Sequence, residues 1–594
     1  MCGIVGFIGK APEKVLLEGL KRLEYRGYDS AGIALKFSDR MDLYKAKGEI
    51  KNLEKIVPNE TTARIGIGHT RWATHGKPDE TNAHPHVSSD KKWAVVHNGI
   101  IENYIELKTK LNDFGYDFYS ETDTETIAKL IEYFYKDDCN VISVLNKTIS
   151  SLKGSYALGI INKEQDGIYF AKNKSPLYVA KCGNEVMLAS DIICFKGFAE
   201  EYYPISDGVF GYATENGIEF YDNLSKIDVA PIPLNLGDYS NLNTYKHFML
   251  KEIFETKTAI KNIIEYYSEK NNINKFDGRD ISKINRVKFI GCGTAYHACL
   301  LGADMLRKKA GLDAEAYVAS EFRYQDVCVD DKTMVVLVSQ SGETADTLAA
   351  FELAKENGAF TVAIVNVEYS TLAKNADIYF PIKAGVEIAV ASTKAFSAQL
   401  SVLNIFSGLV GERLGKNSDP LYDVRKLFEC FDYGNINDFK LLADVLRYND
   451  SLFMIGRGDD YYIAQEASLK IKETSYINSN TYYAGELKHG FLALIDDATY
   501  VIVFATDKKV FTKTVCNAEE AKARGAKIIL FTCFDLSEAD AENFYYIIKV
   551  KELGNSLQSV LNIVPWQIIA YYTSINKGIN PDKPRNLAKS VTVE

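Results

Sequence analysis

Cys2, directly behind Met1, is the residue at the start of the chain whose side chain is best suited to act as a nucleophile. Because methionine is normally removed before a small side chain, we expect the mature protein to begin with Cys2 and to carry a thiol and a free α-amine on one residue. An α-amine titrates near ~8, so it can take the proton of the thiol. An N-terminal nucleophile is activated in this way. The alternative is a buried cysteine at the start of a strand, since residues 4–8 are strand-like.

Segment 64–99 carries groups that could serve such a thiol. Asn98 and Gly99 offer an amide NH₂ and an unhindered backbone N–H side by side, which suits a developing oxyanion, although Asn-Gly also forms tight turns. Arg71 offers a planar fork for a carboxylate, and Asp123 offers a counter-charge for an ammonium group. These residue types predict a site that hydrolyses the side-chain amide of an amino acid.

Five of the eight histidines lie between His69 and His97, a clustering that also occurs in metal sites. The spacing fits neither an i, i+4 pair on a helix nor a zinc knuckle, and no cysteine is close by in the sequence. We therefore expect neither a metal nor another cofactor.

Several motifs of this region together resemble the class II glutamine amidotransferases, the N-terminal-nucleophile glutaminases with an αββα layer fold. They are Cys2-Gly3-Ile4, LEYRGYDSAG at 23–32, HTRWATHG at 69–76 and HNGIIEN at 97–103. The resemblance implies that Cys2 attacks glutamine and that Asn98 and Gly99 hold the tetrahedral oxyanion. It also implies that the amino-acid end of glutamine is held by Arg71, His75 and Asp123.

Length and composition limit the class of protein. A chain of 594 residues should hold three or four domains, and 46% hydrophobic with 25% charged residues is ordinary for a globular protein. The net charge of −10 argues against nucleic acid or an anionic membrane as a partner. Without a run of 18 apolar residues, a signal pattern or paired cysteine spacing, we expect a cytoplasmic protein.

The pattern of predicted elements changes along the chain. Short β-type runs dominate up to residue 237, with two predicted helices at 11–25 and 123–134, which indicates a layered α/β domain with antiparallel sheets. A predicted linker at 228–243 leads to a helical segment, and 238–284 is taken as linker and helical lead-in. From residue 285, apolar strands alternate with helices, as in parallel βαβ units.

The C-terminal part contains an internal repeat. A strand running into Gly-x-Gly occurs at Gly291 and again at Gly456, and later strands of the two copies correspond in order. We therefore predict two doubly wound parallel-sheet domains, at 285–425 and 440–584, followed by a tail at 585–594.

The two copies differ where chemistry is expected. After its second strand the first copy has hydroxyl and amide side chains at 339–344, whereas the second copy has ATDKK at 505–509. Hydroxyls and free N–H groups at a strand-to-helix turn can cradle a phosphate, although a capping box would also explain the pattern. Thr294 and Ser392 add donors in the same half. A dinucleotide site fits poorly, because the third glycine and a following acidic residue are missing.

These segments resemble a pair of sugar isomerase (SIS) domains. Together with the amidotransferase motifs they resemble, over nearly the whole chain, the glutamine-dependent fructose-6-phosphate aminotransferases that isomerise as they aminate. The carrying motifs are SQSGETADTL at 339–348, VASTKAF at 390–396, AGELKHG at 484–490 and PRNLAKSVTVE at 584–594. One departure is Ala295, where other members can carry serine.

The resemblance implies a function and a sugar-phosphate site. Fructose 6-phosphate and glutamine would be converted to glucosamine 6-phosphate and glutamate, with ammonia channelled between two sites, at the first step of UDP-N-acetylglucosamine synthesis. The implied sugar-phosphate residues are Thr294, Ser339, Gln340, Ser341, Thr344, Val390, Ser392 and Ala588.

The isomerase groups combine chemical argument and resemblance. Lys589, near the C-terminus, could form a Schiff base with a ketose carbonyl, unless it is a lysine of a frayed surface tail. Glu466, Lys470 and Glu473 are spaced to share one helix face, which is ordinarily a solvated ladder. The resemblance makes Glu473 the base that moves a proton between C1 and C2, assisted by Lys470 and Glu466. It also makes His489 the group that opens the sugar ring, from the neighbouring subunit of at least a homodimer.

Ammonia transfer requires an enclosed passage, because free ammonia would be protonated and lost in water. The resemblance assigns the gate of this passage to Trp72, beside Arg71, and the completion of the acceptor site to the tail at 586–594. Alternatively, Trp72 packs in the core of the glutaminase domain.

Two other functions are compatible with parts of this pattern. Another class II amidotransferase, acting on a pyrophosphorylated ribose or on aspartate, would need a pyrophosphate loop or an adenylating domain, and neither pattern is present beyond residue 240. A non-catalytic sugar-phosphate sensor would need neither Cys2, Asn98 nor Lys589.

Replacing Cys2 by alanine is expected to abolish glutamine hydrolysis and to leave isomerisation of fructose 6-phosphate to glucose 6-phosphate measurable, because the thiol and the isomerase groups lie in separate predicted domains. Glutamate release and glucose 6-phosphate formation, measured side by side, check this. Retained glutaminase activity, or an uncleaved Met1 in the intact mass of active enzyme, would contradict the N-terminal nucleophile.

Overall fold

The structure, a computed structural model, describes residues 2–72, 75–234, 242 and 244–589. The chain divides into two compact units, Met1–Tyr239 with Ala588–Glu594, and Ser240–Leu587. We call them unit 1 and unit 2. The described residues do not include Met1, whose removal is expected, or the motif residues 73–74. They also do not include part of the predicted linker or the tail beyond residue 589.

Unit 1 contains two antiparallel sheets. Their strands are β1 Gly3–Ile8, β2 Ser30–Lys36, β3 Met41–Lys47, β4 Ile65–Arg71, β5 His86–Val87, β6 Trp93–Ile101, β7 Gly154–Asn162, β8 Ile168–Asn173, β9 Tyr178–Cys182, β10 Glu185–Ala189, β11 Glu201–Pro204, β12 Val209–Thr214, β13 Gly217–Asp222, β14 Ser225–Ile227 and β15 Ile232–Pro233. The eight-stranded sheet has the order β15-β11-β9-β10-β1-β4-β2-β3, and the seven-stranded sheet has the order β14-β13-β12-β8-β7-β6-β5.

The helices of unit 1 cover the outer faces of these sheets. They are α1 Pro12–Leu23, α2 Ile50–Glu54, α3 Tyr104–Asp113, α4 Thr124–Asp137 and α5 Val141–Ser151. The sequence predicted only α1 and α4, so the expectation of two helices was wrong. In α3 only Leu107 and Leu111 are buried, which leaves too short an apolar stripe for its period to be recognised.

Alternating side chains of β1 produce the layers. Val5 and Phe7 pack in the cluster that includes the buried leucines of α1, whereas Ile4 and Ile8 pack in the cluster between the two sheets. Because successive side chains of a strand point to opposite faces, one strand serves two cores. Unit 1 therefore has the predicted αββα layers.

Unit 2 contains two parallel sheets. Their strands are β16 Arg286–Gly291, β17 Asp313–Val318, β18 Thr333–Ser339, β19 Phe360–Val365, β20 Ile378–Pro381, β21 Ser451–Gly456, β22 Asn478–Tyr483, β23 Tyr500–Ala505, β24 Lys527–Thr532 and β25 Tyr546–Lys549. The orders are β17-β16-β18-β19-β20 and β22-β21-β23-β24-β25. We call the parts built on them lobe 1 and lobe 2. The identical order is the structural form of the repeat found in the sequence.

Helices flank both sheets. They are α6 Phe248–Phe254, α7 Thr256–Ser268, α8 Lys270–Ile273, α9 Thr294–Ala310, α10 Ala319–Phe322, α11 Ala345–Glu356, α12 Thr371–Asn375, α13 Lys394–Arg413, α14 Tyr422–Cys430, α15 Ile436–Leu446, α16 Asp459–Ser475, α17 Phe511–Lys522, α18 Glu538–Ala541 and α19 Gln558–Asn576. None of the helices in the described part of the chain combines the length and apolarity that crossing a bilayer requires.

Helices α9 and α16, which follow the first strand of lobe 1 and of lobe 2, pack against each other within unit 2. Thr294 at the start of α9 contacts Glu466 in the middle of α16, while Asp459 at the start of α16 contacts Lys308 near the end of α9. The two helices are therefore antiparallel. On its other side α16 is held by α19, where the buried Trp566 donates from Nε1 to the carbonyl of Ala467 at 2.7 Å.

One end of this crossing carries a titratable pair. Lys308 contacts both Asp304 and Asp459. Burial raises the pKa of Asp459 to about 7, and the Asp304 carboxylate adds to the shift. An aspartate of the unfolded chain titrates near ~3.9. Because the folded protein holds this proton more tightly, the contribution of Asp459 to stability is present below about pH 4 and is lost as the pH rises through about 7.

Replacing Asp459 by asparagine should therefore stabilise the protein more at pH 8 than at pH 5. We expect a difference on the order of 1–2 kcal/mol, less than the full shift implies because 23% of the Asp459 side chain is exposed. Thermal unfolding of the variant and the wild type at both pH values measures it, with the exposed Asp331→Asn as control. An equal change in Tm at both pH values would contradict the buried proton.

Candidate active sites

The pocket at Cys2 in unit 1 gathers the residues that the sequence singled out. Because Gly3 of β1 pairs with Thr70 of β4, Cys2 comes beside the end of β4. The backbone N–H of Trp72 donates to the Cys2 sulfur at 3.2 Å. The pocket lining includes Cys2, Arg71, Trp72, His75, Gly99 and Asp123.

The Cys2 thiol is not a preformed thiolate. Burial raises its pKa, so the thiol is neutral near neutral pH and must lose its proton as it attacks. A base is needed at that moment, and the α-amine of a processed N-terminus has a suitable pKa.

The Asn98 amide is oriented from behind by His69. The amide NH₂ donates to the carbonyl of Cys2 at 2.9 Å, while its oxygen lies 3.0 Å from Nε2 of His69. The same nitrogen lies 3.0 Å from the carbonyl oxygen of His97. Since both neighbours are acceptors, Nε2 carries the hydrogen, and burial lowers the pKa of His69 to about 3, which keeps the ring neutral. The donors of the Asn98 amide are thereby directed toward Cys2.

Gly99 occupies a backbone position that other residues could not take. Its φ is +132°, and a Cβ there would lie 2.0 Å from the carbonyl oxygen of Ser155. A side chain is therefore excluded by strain and by contact, and the N–H of Gly99 stays unhindered beside Asn98.

Arg71 and Asp123, which are predicted to bind glutamine, are hydrogen-bonded to neighbouring residues. The Arg71 guanidinium donates to the carbonyls of His75, Gly76 and Lys77, the last at 3.2 Å, so it also fixes the segment that follows the undescribed residues. Asp123 accepts the N–H of Ile101 at 2.9 Å. Both groups line the pocket, but the Arg71 guanidinium and the Asp123 carboxylate each already make hydrogen bonds within the protein.

The other clustered histidines make hydrogen bonds within the protein. His84 stacks on His69 at 4.1 Å and accepts the N–H of His97. His86 lies 3.0 Å from the hydroxyls of both Tyr119 and Thr122. Burial lowers the pKa of His84 and His86 well below the ordinary value, so these rings are neutral and order the wall of the pocket.

The candidate sugar-phosphate site lies in lobe 1. In a doubly wound sheet of this order, ligands bind outside the carboxyl ends of the strands where the order reverses, here between β16 and β18. The turn at 291–294 follows β16 and the turn at 339–344 follows β18. The topology thus brings together two segments that are far apart in the sequence.

The turn at 339–344 is braced by its own hydroxyls. Ser339 Oγ accepts the N–H of Gly342 at 3.0 Å, and Ser341 Oγ accepts the N–H of Glu343 at 3.2 Å. Gly342 has φ +66°, and a Cβ there would lie 2.1 Å from Ser370 Oγ. The Glu343 carboxylate accepts the N–H and hydroxyl of Thr371, so its negative charge is engaged elsewhere. The turn is therefore ordered by hydrogen bonds within the protein.

The loop with Val390 and Ser392 is also fixed by hydrogen bonds, to one backbone carbonyl and two carboxylates. Val390 donates to the carbonyl of Asp582 at 3.1 Å, and Ser392 Oγ donates to Glu387 at 2.9 Å. Glu252 accepts the N–H of the preceding residue Ala389 at 3.2 Å. These bonds set the path of the loop before any ligand binds.

The corresponding turn of lobe 2 is filled by its own chain. The buried Asp460 carboxylate accepts the N–H and hydroxyl of Thr506 at 2.7 and 2.6 Å, and the N–H of Asp507 at 3.2 Å. These donors follow β23, where lobe 1 has its hydroxyl turn after β18. An internal carboxylate thus takes the donors of the turn in lobe 2.

A buried cluster joins the two lobes at the other end of the α9–α16 crossing. Lys470 Nζ lies 2.6 Å from Glu473 and 3.4 Å from Glu466, and donates to Thr294 Oγ1 at 3.0 Å. Burial would lower the pKa of Lys470, but the two carboxylates outweigh it and raise that pKa above the ordinary value. The sequence missed His297, whose Nδ1 lies 2.7 Å from Glu466, because its partner is distant in the chain.

The other predicted isomerase residues lie in other parts of the chain. His489 is exposed, in a short 3-10 helix at Ala484–His489 of lobe 2. Ala588 and Lys589 are grouped with unit 1, although the sequence placed them with the sugar-phosphate half.

Comparison with known proteins gives consistent matches. A family model described as a glutamine amidotransferase domain matches residues 69–197, and one described as a SIS domain matches 280–407 and 446–577. Proteins named glutamine–fructose-6-phosphate aminotransferase [isomerizing] from Clostridium tetani and Clostridium acetobutylicum are 42% and 41% identical, over 100% of both chains. A solved C-terminal domain of glucosamine-fructose-6-phosphate aminotransferase from Francisella tularensis is 32% identical with a TM-score of 0.53, over 58% of this chain and 100% of that one. The predicted fold class is confirmed.

The orienting role of His69 can be tested by changing its hydrogen bonding at similar volume. His69→Phe keeps an aromatic ring against His84 but loses the Nε2–H, so the Asn98 amide can turn away from Cys2. We expect kcat for glutamine hydrolysis to fall by ~10²-fold, the scale for loss of one oxyanion donor, with little change in KM.

His69→Gln is the matched control, since its amide nitrogen can still donate to Asn98. Steady-state kinetics of both variants separate the two roles. Equal losses in the two variants, or a rise in KM that accounts for the whole effect, would mean that His69 only fills the core.

Proposed function

The chain belongs to the family of isomerizing glutamine–fructose-6-phosphate aminotransferases, and from this premise we propose how its residues divide the reaction. The protein converts fructose 6-phosphate and glutamine to glucosamine 6-phosphate and glutamate, at the entry to amino-sugar synthesis. The observation that carries the residue assignment is the pocket in which Cys2 meets Arg71, His75, Gly99 and Asp123.

Glutamine hydrolysis begins at Cys2. The α-amine takes the thiol proton as the sulfur attacks the amide carbon of glutamine. The Asn98 NH₂ and the Gly99 N–H stabilise the tetrahedral oxyanion, which collapses as the α-ammonium gives its proton to the leaving nitrogen, so that ammonia is released and a thioester is left on Cys2. Water then hydrolyses this thioester to glutamate. The raised thiol pKa supports a role for the amine, because the resting sulfur is protonated.

Arg71, His75 and Asp123 bind the amino-acid end of glutamine. The guanidinium and carboxylate must each exchange one protein contact for a ligand contact, since both are hydrogen-bonded before glutamine binds. This exchange would couple substrate binding to the segment that begins at His75.

Fructose 6-phosphate binds at the turns of lobe 1. The proposed ligand groups are Thr294, Ser339, Gln340, Ser341, Thr344, Val390, Ser392 and Ala588. The reversal of strand order between β16 and β18 supports this position, and the engaged Glu343 carboxylate leaves the hydroxyl turn without a free negative charge.

Isomerisation uses the buried cluster. His489 from a neighbouring subunit opens the sugar ring, and Lys589 forms a Schiff base at C2 that ammonia displaces. Glu473 then takes a proton from C1 and returns it to C2, while the proton of the C1 hydroxyl passes to the imine nitrogen, which leaves an aldehyde at C1 and an amine at C2. The Lys470 ammonium, 2.6 Å away, holds the Glu473 carboxylate in position, while Glu466 anchors the lysine.

Assembly and compartment follow from the same proposal. A histidine exposed in the single chain fits a site completed by a second copy, so we propose a homodimer. All ten cysteines lie in the described residues and are free, which supports a reducing, cytoplasmic environment.

Incubation with amide-¹⁵N glutamine and fructose 6-phosphate tests the function. We expect glucosamine 6-phosphate carrying ¹⁵N, with one glutamate released per aminosugar. In the same assay Trp72→Ala should keep much of the glutamine hydrolysis but lose most aminosugar formation, because an open gate lets ammonia escape.

Mass spectrometry of the sugar product and enzymatic measurement of glutamate give both quantities, and Trp72→Phe is the control that keeps an aromatic ring. Unlabelled or absent aminosugar from the wild type would overturn the function. A ratio near one in Trp72→Ala would instead leave Trp72 as a packing residue.

A further inference from the structure

His297 is the histidine of unit 2 that lies against the buried cluster without an assigned part in the reaction. It is on the second turn of α9, and 13% of its side chain is exposed. Its Nδ1 lies 2.7 Å from Oε2 of Glu466, whose side chain is fully buried. A carboxylate can only accept, so Nδ1 carries the hydrogen and donates it to Glu466.

This bond completes the hydrogen bonding of Glu466. Its Oε1 accepts from Thr294 Oγ1 at 3.0 Å and lies 3.4 Å from Lys470 Nζ. Its Oε2 is served by His297. Lobe 1 therefore supplies, through Thr294 and His297, the two closest donors to a carboxylate that belongs to lobe 2.

The distances show how Lys470 is divided between two carboxylates. Its Nζ is 2.6 Å from Glu473 but 3.4 Å from Glu466. An ammonium group moves toward the carboxylate that lacks other donors, because an unsatisfied buried charge is costly. As Glu466 already has Thr294 and His297, Lys470 can stay with Glu473.

The repeat indicates that the charges of Glu466 and Lys470 are not needed to hold α9 and α16 together. With Gly291 aligned to Gly456, the lobe 1 positions equivalent to Glu466 and Lys470 are Leu301 and Met305, which are equally buried. Apolar residues thus suffice on this helix in one copy of the fold. Buried ion pairs are often no more stabilising than apolar residues of similar volume, so their presence in lobe 2 points to chemistry.

We propose that His297 is a positioning residue for the isomerisation. By satisfying Glu466, it leaves Lys470 with Glu473 and so fixes the place and charge of the group that moves the proton between C1 and C2. It does not touch the sugar. The proposal rests on the proposed function of Glu473 and adds to it a residue that acts through two others.

Two variants of His297 separate donation from packing. His297→Asn keeps a donor at the position of Nδ1, whereas His297→Leu fills space without one. In the full-length protein we expect His297→Leu to lower kcat for isomerisation of fructose 6-phosphate to glucose 6-phosphate by ~10- to 100-fold, the lower range for misplacing a general base. KM for fructose 6-phosphate should change less than about threefold, and His297→Asn should retain most of kcat.

A deuterium isotope effect reports the proton transfer itself. With fructose 6-phosphate deuterated at C1, the isotope effect on kcat should increase in His297→Leu and stay at the wild-type value in His297→Asn, since a misplaced base slows only that step. Glutamine hydrolysis in both variants, which uses unit 1, should match the wild type, and a KM for fructose 6-phosphate close to that of the wild type shows that unit 2 is folded.

A double variant tests whether His297 acts through Glu466, and His297→Asn with its isotope effect keeps the proposal falsifiable if His297→Leu folds poorly. Glu466→Gln removes the charge that would attract Lys470, so adding His297→Leu to Glu466→Gln should reduce kcat by no more than about threefold. Equal losses in both backgrounds, an unchanged isotope effect or full activity of His297→Leu would overturn the positioning role. Absence of isomerisation in the wild type would instead overturn the proposed function.

Discussion

The buried carboxylate of Glu466 is the constraint on which the cluster between the two lobes of unit 2 depends. Thr294 and His297 from lobe 1 and Lys470 from lobe 2 all bond to it or lie beside it. Removing one partner of a buried ion pair typically costs ~3–5 kcal/mol because the remaining charge is left unpaired, so the donors around Glu466 hold one another in place. Trp566 supports α16 from behind through the carbonyl of Ala467.

The two lobes have one topology but opposite uses at their strand ends. In lobe 1 the turn after β18 presents hydroxyls, and in lobe 2 the equivalent donors are taken by Asp460. The two ends of the α9–α16 crossing also carry different charged groups. A Glu–Lys cluster lies at one end, and the Asp304–Lys308–Asp459 group lies at the other. Function therefore depends on a few side chains placed on a repeated frame.

Much of this frame could be predicted from the sequence, because strand periodicity and the Gly-x-Gly repeat are local signals. The residues around Cys2 could be predicted as well, since they belong to compact motifs. No local signal distinguishes His297 from other helical residues, because its partner is 169 positions away. Likewise Asp460 resembles an ordinary first-turn acid until the fold brings Thr506 to it. Tertiary contacts between lobes cannot be read from local periodicity.

The two sites share one physical solution. His69 donates one hydrogen to the oxygen of the Asn98 amide, and His297 donates one hydrogen to the Glu466 carboxylate. An imidazole suits this task because it is rigid, and because the acceptor it faces determines which nitrogen carries the hydrogen. A flexible donor would have to be ordered at each turnover. Fixing the direction of hydrogen bonds in advance lowers the reorganisation needed when charge develops, which is where electrostatic catalysis gains most.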